Sequence, residues 1–136
     1  MREMTVNATP EQIGKMVDFV DEQLTTLGCS DEVRTDVDVA IDELLGNIVQ
    51  YAYGPQAGTV TVCVDVEMDP PSAVITLMDS GVPFNPLTEE RPNTTSLPAK
   101  ERPLGGLGLF LVKELMDELT YCYRDGQNVL TVRKAL

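Results

Sequence analysis

Residues 42–53 read DELLGNIVQYAY and place two polar side chains, Glu43 and Asn47, four positions apart among apolar neighbours. Residues four apart are neighbours on one face of an α-helix, so both side chains can point into one pocket. A solvent-facing acidic helix is the plainer alternative, but Asn47 is followed by Ile48 and Val49 and fits a surface position poorly. An amide oxygen suits Mg²⁺ as a ligand, and a carboxylate one turn earlier suits a general base.

This segment is the end of a longer helical pattern. Ser30 is a good helix-capping residue, and apolar residues recur at three- and four-residue steps through residues 33–52. Residues 10–27 show the same period and are followed by Gly28, a common residue just beyond a helix C-terminus. The sequence therefore predicts two consecutive helices, preceded by a short strand at residues 3–7.

The remaining regular segments have the period of strands. TVTVCVDVEM (59–68) alternates β-branched residues with others, and SAVITLMD (72–79) follows it closely enough to form a hairpin. LTYCYR (119–124) and VLTVRKA (129–135) are joined at Asp125–Gly126, which predicts a second hairpin.

The sequence MDSGVPF, residues 78–84, follows the second of these predicted strands. Asp-Ser-Gly is ordinary turn chemistry, which is the simpler explanation. The functional alternative uses both Asp79 and Gly81: a carboxylate at a strand end can accept a hydrogen bond from an exocyclic amine, and glycine lets a flat ring approach the backbone. The motif is therefore a candidate seat for adenine.

A long segment separates this motif from the last helix. Residues 82–104 contain five prolines and no helical or strand period, which indicates a functional lid or disorder. Gly105, Gly106 and Gly108 then precede an apolar run that ends at Met116. A helix N-terminus presents unpaired N–H groups that bind phosphate, although a glycine hinge is the simpler alternative and neither the dinucleotide nor the Walker spacing is present.

Composition limits the classes of partner. The 136 residues fit a single domain, residues 1–136, and a formal net charge of −12 opposes broad affinity for nucleic acid or anionic membranes. The chain has no histidine, so a catalytic base is expected to be Asp or Glu. Three scattered cysteines predict buried thiols rather than a disulfide framework or a zinc site. No stretch approaches the roughly 18 apolar residues of a membrane span, so we expect a soluble, cytoplasmic chain.

The joint pattern is more specific than its parts. E-x-x-x-N on a helix, D-x-G-x-P-F after a strand, a proline-rich lid and GGLGLFLVK opening a helix together resemble the GHKL, or histidine-kinase-like, ATPase superfamily. The short length, NIVQYAYG and the tail LMDELTYCYRDGQNVLTVRK are similar to the anti-sigma factor serine/threonine kinases of the RsbW and SpoIIAB type. The resemblance covers nearly all of the chain. It implies an α+β fold, a two-layer α/β sandwich of the Bergerat type with helices on one face of a mixed, mostly antiparallel sheet.

This resemblance implies ATP and Mg²⁺ as cofactors and a role for each candidate residue. Asn47 would bind Mg²⁺, Glu43 would act as general base, Asp79 would bind the adenine amine and Gly81 would make room for the ring. Further nucleotide contacts would come from the lid and from the turn that follows it: Lys100, Arg102, Gly105, Gly106, Leu107 and Gly108. Two positions depart from the family pattern, since relatives often have histidine where this chain has Tyr51 and alanine where it has Ile48.

The resemblance also implies an activity. The expected function is an ATP-dependent serine/threonine protein kinase that phosphorylates an antagonist of the anti-anti-sigma (STAS) type and sequesters a sigma factor or another target. A homodimer is expected by analogy. The alternative is a nucleotide-gated binding module of the same fold without phosphoryl transfer. The catalytic domain of a two-component histidine kinase is disfavoured, because the chain has no histidine to phosphorylate.

Overall fold

The computed structural model describes residues 2–53, 58–68, 70–85 and 106–136 of the chain. In these ranges three helices pack on one face of a five-stranded sheet, which confirms the predicted α+β class. The elements follow in the order β1 (Arg2–Asn7), α1 (Pro10–Thr26), α2 (Asp31–Tyr51), β2 (Thr59–Glu67), β3 (Ser72–Asp79), α3 (Gly106–Leu115), β4 (Glu118–Arg124) and β5 (Gln127–Ala135).

The sheet has the strand order β1-β2-β3-β5-β4. All four pairings among the described strands are antiparallel, so the sheet is more uniform than the mixed sheet that the resemblance implied. The strand β5 lies between β3 and β4, which places the end of the chain next to the centre of the sheet. In this register Asp79 at the end of β3 is opposite Asn128 near the start of β5.

Local sequence signals explain where the first two helices begin and end. At the end of α1, Gly28 has a φ of 80°, its N–H donates to Thr25, and the N–H of Cys29 donates to Leu24, both at 3.0 Å. These two bonds satisfy carbonyls that the helix leaves unpaired. The helix α2 begins with Ser30, whose Oγ accepts a hydrogen bond of 3.2 Å from the N–H of Val33. Both predicted boundaries are confirmed.

The two predicted hairpins are also present. The strands β2 and β3 pair from Val60 opposite Asp79 to Glu67 opposite Ser72. Between β4 and β5 the turn residues Asp125 and Gly126 have φ angles of 53° and 76°. Positive φ at both central residues is what a two-residue turn needs to match the twist of the flanking strands.

The hydrophobic core lies between the helices and one face of the sheet. Alternate residues of β2, β3 and β5 face it, and α1, α2 and α3 cover it; its best-buried members are Met16, Val20, Leu24, Val37, Ile41, Leu44, Leu45, Val60, Val62, Ile75, Leu77 and Val112. Cys63 is buried, but Cys122 on the edge strand β4 is exposed, so the prediction of buried thiols was wrong there. Among the described helices none is both long and apolar enough to cross a membrane.

Candidate functional site

A hollow opens between the C-terminal half of α2, the end of β3 and the start of β5. Most of its wall is apolar, and three polar side chains interrupt that wall: Asn47, Asp79 and Asn128. Such a mainly apolar concavity with a few convergent polar groups is the usual form of a small-molecule site. Among the described residues its lining consists of Leu44, Asn47, Ile48, Ala52, Asp79, Val82, Phe84, Tyr121, Asn128 and Leu130.

The helix α2 supplies one side of the hollow. Asn47 and Ile48 lie three and four positions after Leu44, so the three residues share one face of the helix. All three line the hollow. Asn47 is only 8% exposed despite its amide group. Ile48, one of the two departures from the family pattern, therefore forms part of the wall.

Glu43 has a different environment from Asn47. It lies one turn earlier on α2, is partly exposed, and is not among the residues that line the hollow. At a rise of about 1.5 Å per residue, the two side chains start about 6 Å apart along the helix axis. The hollow thus extends along α2 from Leu44 to Ala52, and Glu43 lies outside its lining, next to Leu44.

Asp79 is the last residue of β3 and is 5% exposed. One carboxylate oxygen, Oδ1, accepts hydrogen bonds of 2.9 Å from the N–H of Gly81 and from the side-chain amide of Asn128. Two donors on one oxygen fix the plane of the carboxylate. The second oxygen, Oδ2, is the acceptor that such an orientation leaves for a bound amine.

Asn128 is the residue of this site that sequence reasoning missed. Its amide nitrogen donates to Asp79 and, at 2.9 Å, to the carbonyl of Val82, while its oxygen accepts from the N–H of Phe84 at 3.1 Å and from the hydroxyl of Tyr121. These four bonds use the full hydrogen-bonding capacity of the side-chain amide. Asn128 therefore ties the end of β3 and the segment after it to β5.

Tyr121 completes this network from the edge strand β4. Burial raises the pKa of its hydroxyl, and the negative charge of Asp79 raises it further. The hydroxyl acts as the donor in its bond to Asn128. Its ring forms part of the apolar wall.

Gly81 lies against the end of α2. A Cβ atom added at Gly81 would overlap the backbone carbonyl of Ala52, and the N–H of Val82 donates a 2.9 Å hydrogen bond to the same carbonyl oxygen. The predicted reason for glycine here was access for a flat ring. Close packing of the turn on Ala52 is a second reason, which the sequence did not reveal.

The predicted phosphate-binding segment is only partly described. Lys100, Arg102 and Gly105 lie outside the described residues. The helix α3 begins at Gly106, so Gly106, Leu107 and Gly108 form its first turn rather than a loop ahead of it. The backbone N–H groups of a first helical turn have no partner within the helix, which is the property that phosphate binding requires.

The described residues alone form no cage of acidic or thiol ligands for a divalent cation. The described residues contain no group of three or more His, Cys, Asp or Glu side chains that could hold a metal ion. Mg²⁺ commonly keeps several waters and binds through one or two protein oxygens together with substrate phosphates. The amide of Asn47 in the lining of the hollow fits that mode of binding.

The sequence matches a known domain family along most of its length. A family model described as the histidine kinase-like ATPase domain matches residues 6–134. The chain belongs to this family. The match includes every residue that lines the hollow, so the site lies within the histidine kinase-like ATPase domain.

Curated relatives refine the assignment of this ATPase domain. It is 32% identical over 110 residues to a serine-protein kinase RsbW of Bacillus mycoides (strain KBAB4), a match that covers 79% of the chain and 68% of the relative. It is 33% identical over 101 residues to the RsbW of Bacillus cereus (strain AH187), with 72% and 62% covered. The domain is thus a member of the serine-protein kinase branch of the family, and spans about two thirds of these relatives' length.

A solved structure supports the fold of the ATPase domain. The crystal structure of the RsbU and RsbW domains of Rv1364c from Mycobacterium tuberculosis superposes on the whole chain with a TM-score of 0.64, at 16% identity and over 33% of that protein. At this identity the likeness concerns the fold alone. It agrees with the two-layer arrangement that the resemblance implied.

Proposed function

We propose that this histidine kinase-like ATPase domain is an ATP-dependent serine/threonine protein kinase of the anti-sigma factor type. Its acceptor would be an antagonist of the STAS type, and its second partner a sigma factor or a similar regulator, which would place it in the cytoplasm. The observation that carries the proposal is that Asn47 and Asp79, two residues from separate motifs, line the same hollow. The names of the curated relatives supply the reaction class.

The proposed binding mode follows the long axis of α2. Oδ2 of Asp79 would accept a hydrogen bond from the exocyclic amine of adenine, and the apolar wall would exclude water from the faces of the ring. Asn47 would present its amide oxygen to Mg²⁺ at the other end of the hollow. The first turn of α3, with Gly106 and Gly108, would offer backbone N–H groups to phosphate oxygens.

Glu43 would be the general base of the proposed reaction. Mg-ATP, when bound, supplies the phosphoryl group that is transferred. Glu43 lies one turn beyond Asn47 and is partly exposed, so a hydroxyl of another protein can reach it. Its carboxylate would take the proton of that serine or threonine hydroxyl as the hydroxyl oxygen bonds to the γ-phosphorus, and the bond from that phosphorus to the departing ADP would break. Positioning and charge stabilisation dominate phosphoryl transfer, so a single well-placed base is sufficient protein chemistry.

The alternative is a nucleotide-gated binding module without transfer. The position of Glu43 outside the lining of the hollow favours it, because nucleotide binding then does not require that residue. Both functions predict ATP binding. They differ in whether Glu43 has a role after the nucleotide is bound.

The test measures transfer of radiolabelled γ-phosphate from ATP to STAS-type proteins whose genes lie beside the gene of this chain. Glu43→Ala should lower transfer at least about 100-fold, the usual scale of a general base, with nucleotide affinity nearly unchanged. Asn47→Ala should weaken Mg-ATP binding itself. Glu32→Ala and Gln50→Ala change exposed residues on the same helix and serve as controls. Binding of ATP without labelling of any acceptor would favour the binding module, and failure to bind adenine nucleotides would exclude both functions.

A further inference from the structure

The hydroxyl of Tyr53 lies between two backbone groups that are distant in sequence. It donates a 2.6 Å hydrogen bond to the carbonyl of Thr59 and accepts a 2.7 Å hydrogen bond from the N–H of Ser80. The last pair of the β2–β3 ladder is Val60 opposite Asp79, so Thr59 and Ser80 are each one residue beyond it. The hydroxyl therefore takes the place of the next bond of the ladder and lets the strands separate there.

The turn that follows β3 consists of Ser80–Val82, and each of its N–H groups donates a hydrogen bond. The N–H of Ser80 donates to Tyr53, that of Gly81 to Oδ1 of Asp79, and that of Val82 to the carbonyl of Ala52. Two of these three acceptors are consecutive residues at the end of α2. The position of the turn relative to α2 thus depends on Ala52 and Tyr53.

The same contacts determine the direction of the Asp79 carboxylate. Gly81 can orient Oδ1 of Asp79 only while the turn keeps its place against Ala52. Tyr53 itself is not among the residues that line the hollow. Its influence on that carboxylate consequently passes through the backbone of Ser80 and Gly81.

We infer that Tyr53 is a positioning residue for base recognition, which acts by holding the Ser80–Val82 turn so that Asp79 faces the hollow. This inference rests on the proposed function, because it assumes that Asp79 binds the amine of adenine. It also explains how one helix can set both ends of the site. The helix α2 carries Asn47 in its interior, and the two residues that follow it, Ala52 and Tyr53, fix the turn after Asp79.

The experiment compares the affinities of two nucleotides for the wild-type chain and for Tyr53→Phe. The variant keeps the ring and removes the hydroxyl. Calorimetry would compare ADP with purine riboside diphosphate, which lacks the 6-amino group. Loss of the two hydrogen bonds of the hydroxyl should loosen the turn that orients Asp79 and weaken ADP binding about fivefold to tenfold. The analogue cannot use the Asp79 contact, so its affinity should be the same in the wild-type chain and the variant.

A second variant tests the same ring without touching the hydroxyl. A Cβ added at Gly58 would overlap the ring of Tyr53, so Gly58→Ala should displace the ring and give the same selective loss for ADP. Tyr123→Phe removes a hydroxyl from an exposed position of β4 and should change neither affinity. Amide exchange of Ser80 in the nucleotide-free chain should be faster in Tyr53→Phe than in the wild type.

Three outcomes would overturn the assignment of Tyr53. Equal loss for both nucleotides would indicate a general structural role, and unchanged ADP affinity would indicate no role in recognition. Unchanged exchange of the Ser80 amide would show that the hydroxyl does not hold the turn. If the wild-type chain bound no ADP, the proposed function would fail first, and the exchange measurement would still report on the hold of Tyr53 over the turn.

Discussion

The side-chain amide of Asn128 donates a hydrogen bond of 2.9 Å to Oδ1 of Asp79, across the pair of strands β3 and β5. Both side chains are at most 6% exposed. A buried carboxylate needs hydrogen-bond donors in place of water, and Asn128 is one of the two that Asp79 has among the described contacts. The orientation of Asp79 therefore depends on a residue from the other end of the chain.

Asn128→Asp should make stability and nucleotide binding depend on pH. The change removes a donor and places a second carboxyl beside Asp79, so near neutral pH the two charges repel and the pKa of one of them must rise. Stability should then fall as pH increases through that raised pKa. We expect the free energy of unfolding at pH 8 to drop by about 2 to 3 kcal/mol, measured by urea denaturation.

The control for this charge change is Asn7→Asp, at an exposed position of β1. It adds the same charge without a buried neighbour and should alter stability by less than about 0.5 kcal/mol. If Asn128→Asp were as stable as the wild type at pH 8 and bound ADP equally well, Asn128 would have no part in holding Asp79.

Gly81→Ala should separate the turn from the end of α2. The added methyl group would overlap the carbonyl of Ala52, so the turn must move and lose the bond from Val82. Overpacking against rigid backbone costs about 1 to 3 kcal/mol, and ADP binding should fall together with stability. Thermal unfolding and calorimetry would measure the two effects.

Gly14→Ala is the matched control, because a Cβ at Gly14 on α1 has no neighbour within 4 Å. Glycine in a helix interior is less stable than alanine by about 0.5 to 1 kcal/mol, so this change should stabilise the chain. Similar effects of the two substitutions would mean that the contact of Gly81 with Ala52 carries little weight.

Local signals were enough to predict most of the fold. Gly28 and the pair Asp125–Gly126 adopt positive φ angles where the sequence placed a helix end and a hairpin turn. A positive φ angle at such a position depends on which one or two residues occupy it, and the residue types can be taken directly from the sequence. The pair Asn47 and Asp79 could also be found, because each belongs to a recognisable short motif.

The rest of the site depends on pairings that are far apart in sequence. Asn128 was missed because its role follows from the position of β5 beside β3, and 49 positions separate it from Asp79. Tyr53 was missed for the same reason, since it contacts Ser80 only when α2 ends beside the turn. Neither residue type predicts these contacts by itself, and a buried amide is recognisable only when its partners are known.

A cluster of charges joins α1 to α2. Arg34 on α2 forms ion pairs with Asp31 and, at 3.4 Å, with Asp21 on α1. Asp38 lies one turn further along α2. Its partial burial, together with the nearby carboxyl of Asp21 and the more distant one of Asp18, raises the pKa of Asp38 to about 7, although the charge of Arg34 opposes the rise.

Asp38→Asn should stabilise the chain above pH 7. In the unfolded chain the pKa of Asp38 has its usual value near 4, so the native state binds the extra proton between about pH 4 and 7 and loses stability as pH rises through that window. The amide removes that loss. Because solvent screens this partly exposed group, we expect a gain of only about 1 to 2 kcal/mol at pH 8 and almost none at pH 4, by urea denaturation. The exposed Asp42→Asn removes the same charge from the same helix, and an equal gain from it would show that net charge is responsible.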